Sequence, residues 1–252
     1  MIKNWQVGTL LKKEMVADNV MSLTFSLPQW QSFKAGQHYD IRLTAPGGYM
    51  AERSYSIASS PEDKGIVEYG VQLLEDGEVS PYLWKLAEGK QVEMRGPIGG
   101  HFIWDVSVPG PLILIGGGSG MVPLMSMLRH HANHLDDPPS PEGFGEAKRE
   151  IVFMISARTY EHILYRRELE RIGSQDRNIN VVATITDNAP ESWSGYKRRI
   201  DKEMLEEILG KYKNTDAKTF ICGPTPFVEA VAKHMKALGF KSSDIKTERF
   251  GG

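Results

Sequence analysis

The 252-residue chain has a single cysteine, Cys222. One thiol excludes an intramolecular disulfide, a Cys-rich zinc site and a four-Cys iron–sulfur cluster, and it suits a reducing compartment. Net charge is scarce as well: 30 Lys and Arg against 32 Asp and Glu leave −2. The portions before and after Val108 carry −3 and +1. Neither gives an electrostatic reason to expect nucleic acid or an anionic membrane, so any anion site must be local. The opening Met1-Ile2-Lys3-Asn4-Trp5-Gln6 lacks the basic start and apolar run of an export signal, and we expect a cytoplasmic protein. Val106–Leu128 is uncharged for 23 positions, but Pro109, Pro111 and Pro123 with Gly110, Gly116, Gly117, Gly118 and Gly120 break it. It reads as strand, loop and helix, and no membrane insertion is expected.

What is present is the profile of a soluble globular chain, 40% hydrophobic and 25% charged. Up to about Val108, short apolar or alternating runs (Val20–Leu27, His38–Leu43, Ser54–Ala58, Ile66–Leu74, Gln91–Arg95) are separated by Gly and Pro turns, with one helical segment at Ser80–Ala87. That spacing predicts an antiparallel β-barrel. From Pro111, apolar strands alternate with helix-length segments, which predicts an α/β domain on a parallel sheet. We therefore expect two domains, residues 1–108 and 109–252. Asp136–Gly143 reads as a surface loop of the second.

Five segments carry chemistry. In Arg53-Ser54-Tyr55-Ser56 a strand puts Arg53 and Tyr55 on one face and Ser54 and Ser56 on the other, so a ring can lie on the tyrosine while the arginine reaches a phosphate. Gly77-Glu78-Val79-Ser80 opens a short helix, where free backbone N–H groups suit a pyrophosphate; the plain alternative for these two segments is an ordinary strand with a solvated Arg53 and a helix cap at Ser80. Leu112–Ile115 runs into Gly116-Gly117-Gly118-Ser119-Gly120-Met121-Val122-Pro123, a second phosphate-cradling turn. It is not the G-x-G-x-x-G fingerprint, because Met121 stands where the third glycine belongs. Phe220-Ile221-Cys222-Gly223-Pro224 ends a strand in a tight turn, placing the thiol where open α/β sheets bind ligands. Glu248-Arg249-Phe250 adds an acid and an aromatic; taken alone it would be a frayed tail.

With Gly96-Pro97-Ile98-Gly99-Gly100-His101-Phe102, these motifs occur in an order and spacing that resembles the ferredoxin–NADP reductase superfamily of FAD-dependent oxidoreductases. The resemblance implies an N-terminal FAD-binding barrel and a C-terminal nicotinamide-dinucleotide domain. It implies that Tyr55 stacks on the isoalloxazine, that Ser56 hydrogen-bonds near flavin N5, and that Arg53, Gly77, Glu78, Val79 and Ser80 hold the FAD phosphates. Gly117, Gly118, Ser119, Gly120, Gly223 and Pro224 then serve the nicotinamide nucleotide, and Cys222 and Glu248 line its nicotinamide pocket. Phe250 is similar to the terminal aromatic that covers the flavin and must move, although here Gly251 and Gly252 follow it.

The implied reaction is hydride transfer from NAD(P)H to FAD, followed by electron transfer to an acceptor such as an iron–sulfur or haem protein. No Cys-rich ferredoxin domain is appended, so the acceptor is expected to be a separate protein. Asp187-Asn188-Ala189-Pro190-Glu191-Ser192-Trp193 resembles a stretch of NADH-specific cytochrome reductases, where the carboxylate repels a 2′-phosphate. Arg158, Arg166 and Lys197-Arg198-Arg199 could instead welcome that phosphate. NADH is the expected coenzyme, with NADPH the alternative.

Other readings have weaker support. His130 and His134 could share a metal from one helix face, but no third ligand is evident in the sequence, so we expect no metal and read His130, His131 and His134 as a solvated helix end. Ser119 lacks the G-x-S-x-G context of a hydrolase nucleophile. The alternative of another class is a flavin-binding electron-relay or redox-sensing subunit without its own NAD(P)H turnover. A reductase of free flavin or quinone also remains open, because acceptor sites carry no motif, and oligomeric state leaves no trace in the sequence.

Overall fold

The computed structural model describes residues 4–135 and 149–250. They form two compact units. The first takes the chain up to Asp105 together with Met125–Asn133, and the second takes Val106–Leu124 and the described residues from His134 onward. The expected surface loop at Asp136–Gly143 lies outside the described residues.

The first unit is a six-stranded antiparallel sheet built from β1 (Gln6–Ala17), β2 (Val20–Ser26), β3 (His38–Thr44), β4 (Met50–Ser56), β5 (Ile66–Gln72) and β6 (Gln91–Ile98), in the order β4-β3-β6-β1-β2-β5. An isolated antiparallel bridge from Ile57, just beyond β4, to Tyr69 on β5 brings the two ends of the sheet together, so it curls into a barrel-like form. Alternation points Leu10, Leu23, Phe25, Tyr39, Ile41, Val67, Tyr69 and Met94 inward, all fully buried. The short helix α1 (Val79–Lys85) packs on this core through Val79 and Leu83, and its Trp84 indole donates to the Val71 carbonyl at 2.9 Å.

Two features differ from the sequence expectation. β1 has no counterpart there, because register shifts between Leu10 and Lys12 and between Met15 and Ala17 break its alternation. β4 starts at Met50, four residues before the apolar run suggests, since its first half is polar and exposed on one face.

The second unit is a five-stranded parallel sheet of β7 (Leu112–Gly117), β8 (Ile151–Ala157), β9 (Ile179–Ile185), β10 (Lys218–Pro224) and β11 (Ile245–Phe250), in the order β11-β10-β7-β8-β9. β7 is central and buried along its whole length, as its unbroken apolar run requires. Helices α2 (Met121–Ala132), α3 (Arg166–Gln175), α4 (Lys202–Leu209) and α5 (Thr225–Ala237) alternate with the strands. Asp201 caps α4 by accepting from Met204 N at 2.8 Å. No helix among the described residues is long and apolar enough to cross a membrane.

From Met125 on, α2 groups with the first unit. There Ser126 Oγ donates to the Ser59 carbonyl at 2.7 Å, and Arg129 Nη1 reaches Glu68 Oε2 at 2.8 Å and the Ala58 carbonyl at 2.9 Å. This corrects the reading of a solvated helix end. His130 and His131 are buried, and His130 Nδ1 lies 2.8 Å from Glu62 Oε1, a partner so distant in sequence that helix spacing cannot reveal it.

Candidate functional site

The flavin-side residues sit on β4 and at the head of α1. Pairing with β3 sets Tyr55 opposite Tyr39 and Ser56 opposite His38. The Tyr55 ring is half-buried, with its centroid 6.5 Å from that of Tyr69, and burial pushes its phenol pKa up to about 12, so it stays neutral. Its neighbour Ser56 is buried, and its hydroxyl has no hydrogen-bond partner among the described residues. A buried hydroxyl left without a partner costs about 1–3 kcal/mol, which a hydrogen bond to a bound ligand would offset.

Arg53 is exposed, and among the described residues Nη1 donates to the adjacent Glu52 carbonyl at 2.7 Å, so the guanidinium can swing to an anion. Ser54 is engaged on the other face: its hydroxyl donates to Asp40 Oδ1 at 2.6 Å, and Arg95 Nη2 reaches Asp40 Oδ2 at 2.7 Å. Burial raises the Asp40 pKa, but the hydrogen bonds from Ser54 and Arg95 outweigh it and hold the carboxylate below its ordinary range. The Ser54 side chain therefore braces β4 against β3.

The Gly77–Ser80 turn is tied down by its own side chains. Ser80 does not cap α1; Glu78 occupies the cap position without a capping side-chain bond. The Ser80 hydroxyl instead accepts from Leu74 N at 3.1 Å. Helix α1 has only seven residues, so any phosphate hold here comes from the turn's backbone N–H groups and Arg53 rather than from a helix dipole.

The nicotinamide-side residues lie where β7 and β10 end. β7 passes into a 3-10 turn at Gly118–Gly120 and then into α2. Gly118 has φ +55°, with open space where a side chain would stand. Gly120 presses on β10 so closely that a Cβ there would overlap the Cys222 carbonyl. This brings the turn against Cys222, Gly223 and Pro224. The C-terminal segment is not a frayed tail but the edge strand β11, whose register sets Glu248 opposite Cys222 and Phe250 opposite Pro224.

Burial raises the Cys222 thiol well above its ordinary pKa, and the Glu248 charge pushes the same way, so the thiol stays protonated. Burial also lifts the Glu248 carboxyl to about 7. Arg158 and Asp187 meet at the carboxyl ends of β8 and β9, where Asp187 N donates to the Arg158 carbonyl at 2.8 Å; both side chains are exposed. Arg166 lies 4.1 Å from the Tyr160 ring centroid, donates to the Tyr160 hydroxyl and faces Glu170 at 3.7 Å. Arg198 pairs with Asp201 at 3.0 Å. Two of the cations read as phosphate partners thus have partners already. Tyr160, which sequence reasoning missed, stands edge-on to Trp193 at 5.9 Å, a contact made across a loop with no spacing signal.

A flavin-type barrel followed by a nicotinamide-type parallel sheet defines the class, a two-domain dinucleotide-dependent oxidoreductase. Residues 7–103 match the oxidoreductase FAD-binding domain family and residues 114–233 the oxidoreductase NAD-binding domain family. The chain belongs to the ferredoxin–NADP reductase superfamily of FAD- and NAD-binding oxidoreductases. It is 27% identical over 98% of its length to a component of the Na(+)-translocating NADH-quinone reductase of Serratia proteamaculans, covering 61% of that protein. It is 33% identical over 87% of its length to the glycine betaine monooxygenase reductase subunit of Chromohalobacter salexigens, covering 56% of it. The chain thus spans about three fifths of these relatives. Its fold superposes on the flavohem-like FAD/NAD-binding domain of nitric oxide dioxygenase from Vibrio cholerae with a TM-score of 0.82 at 20% identity, covering 98% of this chain and 99% of that one.

Proposed function

We propose that the protein takes a hydride from NADH and delivers the electrons to a separate iron–sulfur or haem protein, with residues 1–108 serving FAD and 109–252 serving the nicotinamide nucleotide. The observation that carries this reading is the Ser56 hydroxyl, buried without a partner beside the half-buried Tyr55 ring. A flavin supplies both what the hydroxyl lacks, a ring nitrogen to bond, and what the tyrosine offers, a flat surface to cover. Bound FAD contributes the hydride-accepting ring and the split into single-electron steps.

The chain's own residues do the rest. Tyr55 orients the ring, Ser56 donates its hydrogen bond near N5, and Arg53 with the Gly77–Ser80 backbone fixes the phosphates. Gly117–Gly120, Gly223 and Pro224 admit the nicotinamide nucleotide close to the main chain. The neutral Cys222 thiol offers a soft wall without competing charge, and Glu248 accepts a hydrogen bond from the carboxamide when ionised. Phe250 is the ring that gives way to the incoming nicotinamide. Asp187 accepts the ribose hydroxyls and disfavours a 2′-phosphate, and the engagement of Arg166 and Arg198 supports NADH. The name of the Chromohalobacter relative, a monooxygenase reductase subunit, supports a protein acceptor.

The test is to purify the protein, assay bound FAD, and measure NADH oxidation with ferricyanide and with candidate acceptor proteins. Bound FAD with NADH–ferricyanide turnover is the expected result. FAD without any NADH turnover contradicts the reductase reading and favours a relay or sensor subunit.

A further inference from the structure

No third metal ligand stands near His130 and His134 in the sequence, but the fold supplies one from the connection between β4 and β5. Asn133 N donates to the Arg129 carbonyl at 3.0 Å, so the helical ladder of α2 runs on to the residue before His134, and the two histidines stand one turn apart on the same face. Glu62, 68 residues before His130, reaches in from the Ser60–Lys64 turn, and its Oε1 lies 2.8 Å from His130 Nδ1. One ligand atom from each of Glu62, His130 and His134 falls within 4.8 Å of the other two. His130 is buried, and Glu62 and His134 are half-buried.

The surroundings hold these groups in place. The Ser60 hydroxyl, itself buried, donates to Glu62 Oε2, and Ser60 N donates to Asp63 Oδ2 at 2.9 Å, which ties the turn. The Trp104 ring stands edge-on to the His130 imidazole at 5.7 Å. Carboxylates and imidazoles that bind metals are oriented by neighbours of this kind. Two ligands about 2.1 Å from a tetrahedral ion stand about 3.4 Å apart, so the contact between Glu62 and His130 has to open by only about half an ångström. The donor set selects the ion. Two imidazoles and a carboxylate suit Zn2+ and its neighbours in the transition series, whereas Mg2+ and Ca2+ favour oxygen ligands. Three protein ligands leave a fourth position to water.

We propose that Glu62, His130 and His134 bind one divalent transition-metal ion, Zn2+ or a close analogue, and that the ion clamps the end of α2 to the turn between β4 and β5. None of the three belongs to the residues proposed for FAD or for the nicotinamide nucleotide, so the site stands independently of the redox reading. The clamp extends contacts that the same helix already makes to the same connection, from Ser126 Oγ to the Ser59 carbonyl and from Arg129 Nη1 to the Ala58 carbonyl. Its role is to stabilise this junction.

The test takes the full chain, freed of metal by a chelator and dialysis, and titrates it with Zn2+ by calorimetry and with Co2+ by its d–d absorption beyond the flavin bands. The expected result is one Zn2+ per chain, a Co2+ spectrum of tetrahedral intensity, no competition from excess Mg2+, and a thermal midpoint that rises with Zn2+. His134→Gln and Glu62→Gln should each lower Zn2+ affinity by on the order of 100-fold and abolish the rise in midpoint, while His234→Gln, on α5, should change affinity less than about twofold. The proposal is overturned if the wild-type chain takes up no Zn2+, or if either His134→Gln or Glu62→Gln keeps the affinity within about twofold. It is equally overturned if His234→Gln falls as far as they do, since the ion is then held adventitiously elsewhere.

Discussion

The two units reach dinucleotides by opposite means. In the barrel, the proposed flavin contacts are side chains of one strand: Arg53, Tyr55 and Ser56 project from β4, which is paired along its whole length to β3. In the parallel sheet, the proposed nicotinamide surface is mostly main chain, offered by glycines at the ends of β7 and β10 where a Cβ finds no room or a strained backbone. A barrel-like sheet holds rotamers rigid and can spend its specificity on side chains. An open parallel sheet leaves its strand ends bare, and the ligand there meets backbone. The first unit should therefore fail when side chains are removed, and the second when atoms are added.

The largest effect expected from that contrast is in the barrel. Replacing Arg53 and Tyr55 together by alanine removes the ring surface and the charge-assisted phosphate contact, and FAD affinity should fall by on the order of 100-fold or more. Retention of FAD through gel filtration checks it. Nicotinamide nucleotide binding, followed by ligand fluorescence, should be unchanged, and an equal loss there would break the comparison.

The converse change is Gly120→Ala. The added methyl meets the Cys222 carbonyl and forces the turn away from β10, at a cost of about 2 kcal/mol, so NADH affinity should fall by roughly 30-fold while FAD stays bound. Isothermal titration with NAD+ measures the first and the visible spectrum the second.

Much of this arrangement is legible in the sequence, and the misses have causes. The glycine turns and the Arg53–Ser56 strand are local and stand in fixed order, so they can be read without a structure. The strand β1 cannot, because its two register shifts erase alternation. Glu248 and Phe250 look like a tail, since only the pairing of β11 to the distant β10 makes them part of a sheet. Ser80 imitates a helix cap by type and position, but its hydroxyl is taken by Leu74. His130 and His131 look solvated because the segment that buries them comes from far along the chain.

A smaller effect sharpens the nicotinamide side. If Asp187 opposes a 2′-phosphate as proposed, Asp187→Ser should raise the NADPH to NADH ratio of kcat/KM by roughly tenfold, about 1.4 kcal/mol. Steady-state kinetics with both coenzymes decide it, and an unmoved ratio transfers coenzyme choice to other residues.

The smallest concerns Glu248. Burial raises its folded pKa from 4.5 to about 7, so the protonated form is the one the fold favours. Its stabilising contribution is full below the unfolded value and is lost as pH rises toward and through about 7. Thermal midpoints should therefore decline over that window, and Glu248→Gln, which stays neutral, should flatten the decline. A variant that follows the wild-type curve would show that burial of this carboxyl does not govern the slope.

The most direct test of the proposed reductase activity is an anaerobic visible spectrum before and after adding NADH and, separately, NADPH. The account predicts a bound-flavin spectrum that bleaches with both nucleotides and faster with NADH. A protein without flavin absorbance that takes up no added FAD, or a bound flavin untouched by either nucleotide, contradicts it.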